Sequence, residues 1–175
     1  MTESPEIAVV GGTGLYDMPG LQEITTIHPE TPYGKASAPI AIGSLEGVKV
    51  AFLARHGIGH IFNPSEVNYR ANIYSLKLLG VRKIISISAC VSLRADFAPG
   101  HIVIPDQLFD FTRNRNESFY EDGCVAHSGS ANPFCEELRI IANDPFQPTS
   151  AVVHDGGTLI TIEGPRFSTR AESNL

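Results

Sequence analysis

The beginning of this chain constrains its fold most, because a short apolar run there ends abruptly in glycine. Ile7–Val10 leads into Gly11-Gly12-Thr13-Gly14, which predicts a buried strand that leaves its sheet through a tight loop. Pro39–Leu45 and Val48–Ala54 lie on either side of Glu46-Gly47, a pattern typical of a β-hairpin. The first part of the chain is therefore predicted to build a sheet.

The clearest helix signal follows the hairpin. Asn63 is a good N-cap, Pro64 suits the first helical position, and Glu66 is placed to close a capping box. Apolar residues then recur at helical spacing until Gly80, a residue type that commonly ends helices. We predict a helix that begins directly after Asn63 and ends before Gly80.

Strand and helix signals alternate along the rest of the chain. Lys83–Ser88 is a β-branched stretch and predicts a central strand. Further strands are predicted at Ile102–Pro105, Ala151–Val153 and Thr158–Ile162, helices at Pro133–Asn143 and Arg166–Leu175, and a loop at Arg113–Asn132. This order predicts an α/β fold with a twisted mixed β-sheet flanked by helices, in a single domain over residues 1–175. Because the chain stops inside the last predicted helix, we expect the fold to be incomplete at its C-terminus.

Composition and charge exclude several classes of protein. The chain has 175 residues, 42% of them apolar, which suits one ordered domain. No apolar run approaches about 20 residues, so we predict no membrane partner. A formal charge of −6 without a block of Lys or Arg argues against a nucleic-acid partner. The start lacks a signal-peptide pattern, and the three cysteines lack metal-ligand spacing, so we predict buried, reduced thiols in a cytoplasmic protein.

Donor-bearing residues follow three of the predicted strands. Thr13 lies in the glycine-rich loop after the first strand, Arg55 and His56 follow the hairpin, and Ser88 ends the β-branched stretch. A tight turn or a surface arginine would explain each feature singly. Ligands of open α/β sheets bind beyond the carboxyl ends of strands, however, so the convergence of Thr13, Arg55 and Ser88 predicts one anion site.

Other kinds of catalytic site find little support. The glycine-rich loop has Asp17 where a dinucleotide fingerprint needs its third glycine, and there is no Walker lysine. No G-x-S-x-G elbow is present. His56 and His60 have a spacing that zinc ligands use on helices, but they follow a strand, so we predict no metal.

At this point the chain is seen to resemble a known family. It is similar to the 5′-methylthioadenosine phosphorylases, which are among the trimeric purine-nucleoside phosphorylases. The matching segments occur in order from the beginning of the chain almost to its last residue: GGTGLYD (11–17), TPYGKAS (31–37), ARHG (54–57), NPSEVNYRANIYSLKLLG (63–80), SACVSLR (88–94) and TIEGPRFSTRAES (161–173).

The resemblance implies a purine-nucleoside phosphorylase-like fold and phosphorolysis of S-methyl-5′-thioadenosine to adenine and 5-methylthioribose 1-phosphate. It implies no cofactor or metal, with inorganic phosphate as co-substrate, and a homotrimer if the chain is complete. It also assigns a set of phosphate ligands, which includes one backbone N–H, that of the alanine. These ligands are Thr13, Arg55, His56, Ser88 and Ala89.

The resemblance further implies residues on the nucleoside side. Cys90 and Val91 belong to the segment that lines the base, Phe167 packs on the base, and His127 reaches the 5′-substituent of a neighbouring subunit's substrate. Ser168 favours a 6-aminopurine, because adenine N1 accepts a hydrogen bond that a hydroxyl can donate. Most of the family has glycine at the position of Val91, and the added side chain is expected to crowd the purine or shift the loop.

Three hypotheses therefore stay open. The first is a methylthioadenosine phosphorylase. The second, suggested by Val91, is a phosphorylase that prefers 6-oxopurine nucleosides or methylthioinosine. The third is an inactive fragment that binds phosphate or assembles with intact subunits, since the resemblance places the base-protonating Asp beyond residue 175 and leaves no certain catalytic acid in the chain.

Overall fold

The structure is a computed structural model and describes residues 4–144 and 150–174. The chain clusters into two compact units. The first unit comprises Met1–Cys90 with Asn116–Phe119, and the second comprises Val91–Arg115 with Tyr120–Leu175. The assignment of residues 1–175 to a single domain stays a prediction.

The first unit is built on one five-stranded sheet and one helix. Its elements are β1 (Ile7–Gly11), β2 (Gln22–Ile27), β3 (Ile40–Leu45), β4 (Val48–Ala54), α1 (Tyr69–Leu78) and β5 (Lys83–Ile87). The spatial order is β2-β3-β4-β1-β5, in which β1 is parallel to both β4 and β5, while β3 is antiparallel to β2 and β4. The predicted α/β class with a mixed sheet is confirmed.

The core of this unit lies around β1 and β4. The last five residues of β4 are all buried, as expected for a strand in the middle of a sheet that is covered on both faces. Ala8, Ile40 and Leu53 have no exposed surface, and Leu76 brings α1 against the same cluster at 1% exposure. Burial of these apolar side chains holds the parallel strands β4 and β1 in register, and the candidate site lies at their ends.

The helix starts later than the sequence predicts. Asn63 does accept a hydrogen bond from the Glu66 N–H at 3.2 Å, and Glu66 accepts one from the Asn63 N–H at 3.0 Å. This capping-box pattern closes only a turn, and α1 begins at Tyr69, so the predicted start was wrong. Local capping chemistry predicted a backbone turn correctly but did not decide which turn continues as a helix.

A contact with a distant segment accounts for the true start of α1. The N-cap is Asn68, whose side-chain oxygen accepts from the Ala71 N–H at 3.1 Å. Its amide nitrogen donates to the carbonyl of Tyr33 at 2.7 Å, which ties the helix to residues far away in sequence. At the other end, the N–H of Gly80 donates to the Lys77 carbonyl with φ +90°, so the predicted stop is correct.

Strand β5 departs from the prediction of a central strand. In the described sheet it lies at the edge, beside β1. Ile84, Ile85 and Ile87 are accordingly 38%, 45% and 46% exposed. β-branched residues indicated a strand correctly, but side-chain preference does not determine a strand's position in its sheet.

The second unit contains two separate pairs of parallel strands. Its elements are β6 (Ile102–Ile104), β7 (Gln107–Phe111), α2 (Glu136–Ala142), β8 (Val153–Asp155), β9 (Thr158–Ile162) and α3 (Arg170–Ser173). β6 pairs with β8, and β7 pairs with β9. The described segment 113–132 contains no helix or strand, as predicted. None of the helices in the described ranges has the length and apolar character that a membrane span requires.

The predicted burial of the cysteines was wrong. Cys90, Cys124 and Cys135 are all exposed. Cys90 follows the edge strand β5, Cys124 lies in the irregular segment, and Cys135 precedes α2. Cysteine is among the most buried residue types on average, but these positions lie outside the strands and helices that build a core.

Candidate functional site

The register of the sheet brings three strand ends level with one another. Gly11 is aligned with Ala54 of β4 and with Ile87 of β5. The N–H of Gly12 donates to the Ile87 carbonyl at 2.8 Å, and the N–H of Arg55 donates to the Gly11 carbonyl at 2.9 Å, so the alignment continues one residue beyond the strands. The residues that lie side by side at this edge are Gly12, Arg55 and Ser88.

Gly12 is the point at which the side chains converge. A Cβ atom at this position would lie 2.7 Å from Nη2 of Arg55, 2.9 Å from the carbonyl oxygen of Ile87 and 3.1 Å from Oγ of Ser88. The φ of Gly12 is outside the left-handed region, so glycine is required here for space and not for its backbone angles. The Arg55 guanidinium and the Ser88 hydroxyl therefore both lie close to the space that a side chain at position 12 would fill.

Arg55 carries an unsatisfied donor in this arrangement. Its Nε is buried and has no hydrogen-bond partner among the described residues. A buried donor without an acceptor is costly, and an arginine fork is shaped for the paired oxygens of phosphate or carboxylate. The position therefore favours an oxyanion as ligand.

His56 follows Arg55 beyond the end of β4, and its side chain is buried and hydrogen-bonded. It is 5% exposed, and its Nδ1 is 3.0 Å from the carbonyl oxygen of Phe62. Because a carbonyl oxygen can only accept, Nδ1 carries a proton and donates it to this bond. The ring of His60 stacks on the His56 ring, with centroids 4.5 Å apart.

The remaining predicted residues of the first unit follow the same strand ends. Thr13 is exposed in the loop after β1, and Ala89 and Cys90 directly follow Ser88. The thiol of Cys90 approaches the Ser88 carbonyl at 3.7 Å. Although the residue is exposed, partial desolvation of its sulfur raises the pKa of the Cys90 thiol, and the Arg55 guanidinium acts in the opposite direction.

Apart from Cys90, the predicted nucleoside-side residues belong to the second unit. Val91 is 69% exposed and Phe167 is 80% exposed, and His127 is exposed in the irregular segment. Val91 does not have a left-handed φ, so its backbone is one that valine adopts without strain. The hydroxyl of Ser168 is 2.7 Å from that of Ser173.

Phe167 and Ser168 lie in sequence between the two partners of an ion pair, Arg166 and Glu172. Arg166 binds both carboxylate oxygens of Glu172, at 2.8 and 2.7 Å. Glu172 also accepts from the backbone N–H of Thr169, whose hydroxyl accepts in return from the Glu172 N–H, a complete capping box for α3. The Arg166 hydrogen bonds first, and the Thr169 N–H second, lower the pKa of Glu172 to about 2 from an ordinary 4.5.

We expect this low pKa to make the α3 cap sensitive to acid. A pKa that is lowered on folding adds stability that is complete above the unfolded value of 4.5 and disappears as the pH falls through about 2. A carboxyl ¹³C titration should place the midpoint of Glu172 near 2, and Arg166→Gln should move it towards 4.5. An unchanged midpoint in Arg166→Gln would contradict the assigned cause.

Other polar clusters contain none of the predicted site residues. In the second unit, Nδ1 of His101 and Nε2 of His154 are 2.8 Å apart, at the side of a cavity of about 500 Å³ that His154 lines together with Arg94 and Phe97. Across the described ranges, no group of three or more His, Cys, Asp or Glu side chains is placed to hold a metal ion.

Comparison with known proteins identifies the family of this chain. The Phosphorylase superfamily profile matches residues 6–175, and the chain belongs to this superfamily. An S-methyl-5′-thioadenosine phosphorylase from Chloroflexus aurantiacus is 56% identical over 171 residues, which are 97% of this chain and 59% of that protein. The chain thus spans less than two thirds of the length of this relative.

Solved structures show the same likeness in three dimensions. A methylthioadenosine phosphorylase from an antarctic soil metagenomic library superposes with a TM-score of 0.90 at 49% identity, over 98% of this chain and 61% of that chain. The Schistosoma mansoni methylthioadenosine phosphorylase in complex with adenine superposes with a TM-score of 0.87 at 36% identity, over 97% of this chain and 66% of that chain. The purine-nucleoside phosphorylase-like fold is confirmed.

Two features of the site were not predicted from the sequence. One is the close packing of Arg55 and Ser88 over Gly12. The other is the contact of His60 with His56 and Tyr16. The sequence analysis considered His56 and His60 together only as possible zinc ligands, and it did not predict that their rings stack.

Proposed function

We propose that the ends of β1, β4 and β5 form a binding site for inorganic phosphate. The observation that carries this proposal is the convergence of the Arg55 guanidinium and the Ser88 hydroxyl over Gly12, together with the buried, unsatisfied Nε of Arg55. Charge-assisted hydrogen bonds from a guanidinium are among the strongest that a phosphate can receive. The proposed ligands are Thr13, Arg55, His56, Ser88 and the backbone N–H of Ala89.

We further propose that the protein uses this phosphate to cleave S-methyl-5′-thioadenosine. A phosphate oxygen forms a bond to the anomeric carbon of the sugar while the bond from that carbon to the purine breaks, and the bonding electrons leave with the base. The products are adenine and 5-methylthioribose 1-phosphate. The names and identities of the relatives support this reaction, and the Arg55 site suits it because it orients the nucleophile.

The charges explain why no metal or cofactor is proposed for this chemistry. The sugar becomes cationic as the bond to the base breaks, and a bound phosphate anion directly stabilises that positive charge. Arg55 keeps the phosphate anionic and fixed at the strand ends. The purine leaves more easily when its nitrogen is protonated or hydrogen-bonded, a role for which no residue of this chain is proposed.

The residues proposed for the nucleoside are those named from the resemblance. Ser168 is proposed to donate to N1 of adenine, Phe167 to pack on the base, and Cys90 and Val91 to lie along it. His127 is proposed to reach the 5′-substituent of a neighbouring subunit's substrate, within a homotrimer. The resemblance also motivates a place in purine and methionine salvage, in the cytoplasm.

A substrate panel tests the proposed specificity. S-methyl-5′-thioadenosine, methylthioinosine and inosine are each incubated with and without phosphate, and the free base is quantified by chromatography. We expect the methylthioadenosine rate to exceed the methylthioinosine rate by about tenfold or more, because the pocket is proposed to match the 6-amino group and the unprotonated N1 of adenine. A preference for the 6-oxopurines would instead support the alternative that Val91 suggested.

A further inference from the structure

We propose that His60 is a positioning residue that holds His56 in the candidate phosphate site. The inference rests on the proposed function, because His56 is one of the proposed phosphate ligands. The two rings are nearly parallel, with an interplanar angle of 23° and centroids 4.5 Å apart. His60 thus covers one face of the His56 ring, while the Phe62 carbonyl binds its Nδ1 edge.

His60 is itself held from the opposite side of the site. The hydroxyl of Tyr16 lies 3.0 Å from Nδ1 of His60, and the two rings meet edge to face at 86°. Tyr16 lies in the connection after β1, which also carries Thr13, whereas His60 lies in the connection after β4. The contact therefore joins the two loops that supply proposed phosphate ligands.

The backbone conformation of His60 is unfavourable for a residue with a side chain. His60 has φ +58°, in the left-handed region where a side chain is unfavourable. Glycine would adopt this conformation freely, as the preceding Gly59 does at φ +79°. The ring of the residue that bears this backbone cost contacts His56 and Tyr16.

Together these contacts determine the orientation and the tautomer of His56. The Phe62 carbonyl requires the proton on Nδ1, and the stacked His60 ring keeps the imidazole plane from rotating away from that bond. Loss of the His60 ring should therefore weaken phosphate binding, although His60 is not proposed to touch phosphate.

Two variants at this position separate the ring from the backbone. His60→Gly relieves the strained φ and removes the ring, whereas His60→Phe keeps a stacking ring on the strained backbone. We expect His60→Gly to weaken the binding of inorganic phosphate by about 3- to 10-fold, the contribution of one aromatic pair. His60→Phe should bind within about twofold of the native chain. Titration calorimetry on the 175-residue chain measures both.

A second readout needs no phosphate. The Nδ1–H proton of His56 should give a slowly exchanging imidazole signal by NMR in the native chain and in His60→Phe, and that signal should be lost in His60→Gly. Tyr16→Phe removes only the hydroxyl that bonds to His60 and leaves the two histidine rings stacked, so it should keep the same signal, as His60→Phe does. This variant keeps the test open should His60→Phe not fold.

The outcomes distinguish the two proposals. Arg55→Ala without any effect on phosphate binding would overturn the phosphate site, and the His56 signal would then decide the role of His60 alone. A weakening by Arg55→Ala, together with full phosphate affinity and an unchanged His56 signal in His60→Gly, would overturn the positioning role only. Equal losses in His60→Gly and His60→Phe would also overturn it, because the ring would not be the cause.

Discussion

Replacing Arg55 with glutamine is expected to abolish measurable phosphate binding by this chain. Glutamine keeps a polar side chain of similar reach but loses the charge and the planar fork of donors. Each hydrogen bond to a charged group contributes about 1.5–3 kcal/mol, so losing two of them corresponds to a decrease of about 100-fold or more in affinity. Titration calorimetry with inorganic phosphate at an ionic strength of about 0.15 M, where exposed charges are screened, measures this directly.

A matched control for this substitution lies in the same unit. Arg82 is exposed and lies just before β5, so Arg82→Gln removes the same charge away from the three strand ends. We expect its phosphate affinity to stay within about twofold of the native value, since exposed charges are well screened. Equal losses in Arg55→Gln and Arg82→Gln would show that net charge, and not the built site, binds phosphate.

Replacing Gly12 with alanine, which adds only a methyl group, should also weaken phosphate binding strongly. In Gly12→Ala the new Cβ would lie 2.9 Å from the backbone oxygen of Ile87, which cannot move without disturbing the pairing of β1 and β5. It would also lie 2.7 Å from Nη2 of Arg55 and 3.1 Å from Oγ of Ser88. Overpacking of this kind costs about 1–3 kcal/mol, and displaced donors should weaken phosphate binding by about tenfold or more.

Gly129→Ala makes the same chemical change where space is open. No atom lies within 4 Å of a Cβ built at Gly129, and its φ is not in the left-handed region. Urea unfolding and phosphate titration of both variants should show losses for Gly12→Ala only. Native affinity in Gly12→Ala would mean that the ends of β1, β4 and β5 can separate enough to admit a methyl group, and that the close convergence is not needed for binding.

The sheet of the first unit was largely predictable because local signals agreed with the tertiary structure. β1, β3 and β4 have apolar runs bounded by glycine or by a turn, and each was found within one residue of its true limits. β2, with the sequence QEITTI, was missed because all but its last residue are exposed, so it shows no apolar alternation.

Features decided by distant contacts could not be predicted in the same way. The start of α1 depends on the bond from Asn68 to the Tyr33 carbonyl, and the edge position of β5 depends on which strands pair with it. Local propensity carries no information on either. Both differences therefore mark places where packing overrides a sound local signal.

In the candidate site, too, some features follow from local sequence signals and others depend on distant contacts. Arg55 and Ser88 could be brought together from the sequence, because the ends of parallel strands meet at one edge of a sheet. The place of Thr13 beside them stays a prediction. The need for glycine at position 12 could not be predicted, since it arises from the approach of Arg55 and Ser88 to one backbone point. The stacking of His60 on His56 likewise depends on a left-handed turn that the sequence does not indicate.

Isotope-labelled phosphate tests the proposed reaction most directly. The 175-residue chain is incubated with S-methyl-5′-thioadenosine and inorganic phosphate that carries four ¹⁸O atoms, and the products are analysed by mass spectrometry. We predict adenine together with 5-methylthioribose 1-phosphate that retains all four labelled oxygens, because phosphate attacks carbon and no phosphorus–oxygen bond breaks. Adenine released equally fast without phosphate, with free methylthioribose as the sugar product, would contradict phosphorolysis, whereas no adenine at all from the folded chain would support the third hypothesis, an inactive fragment.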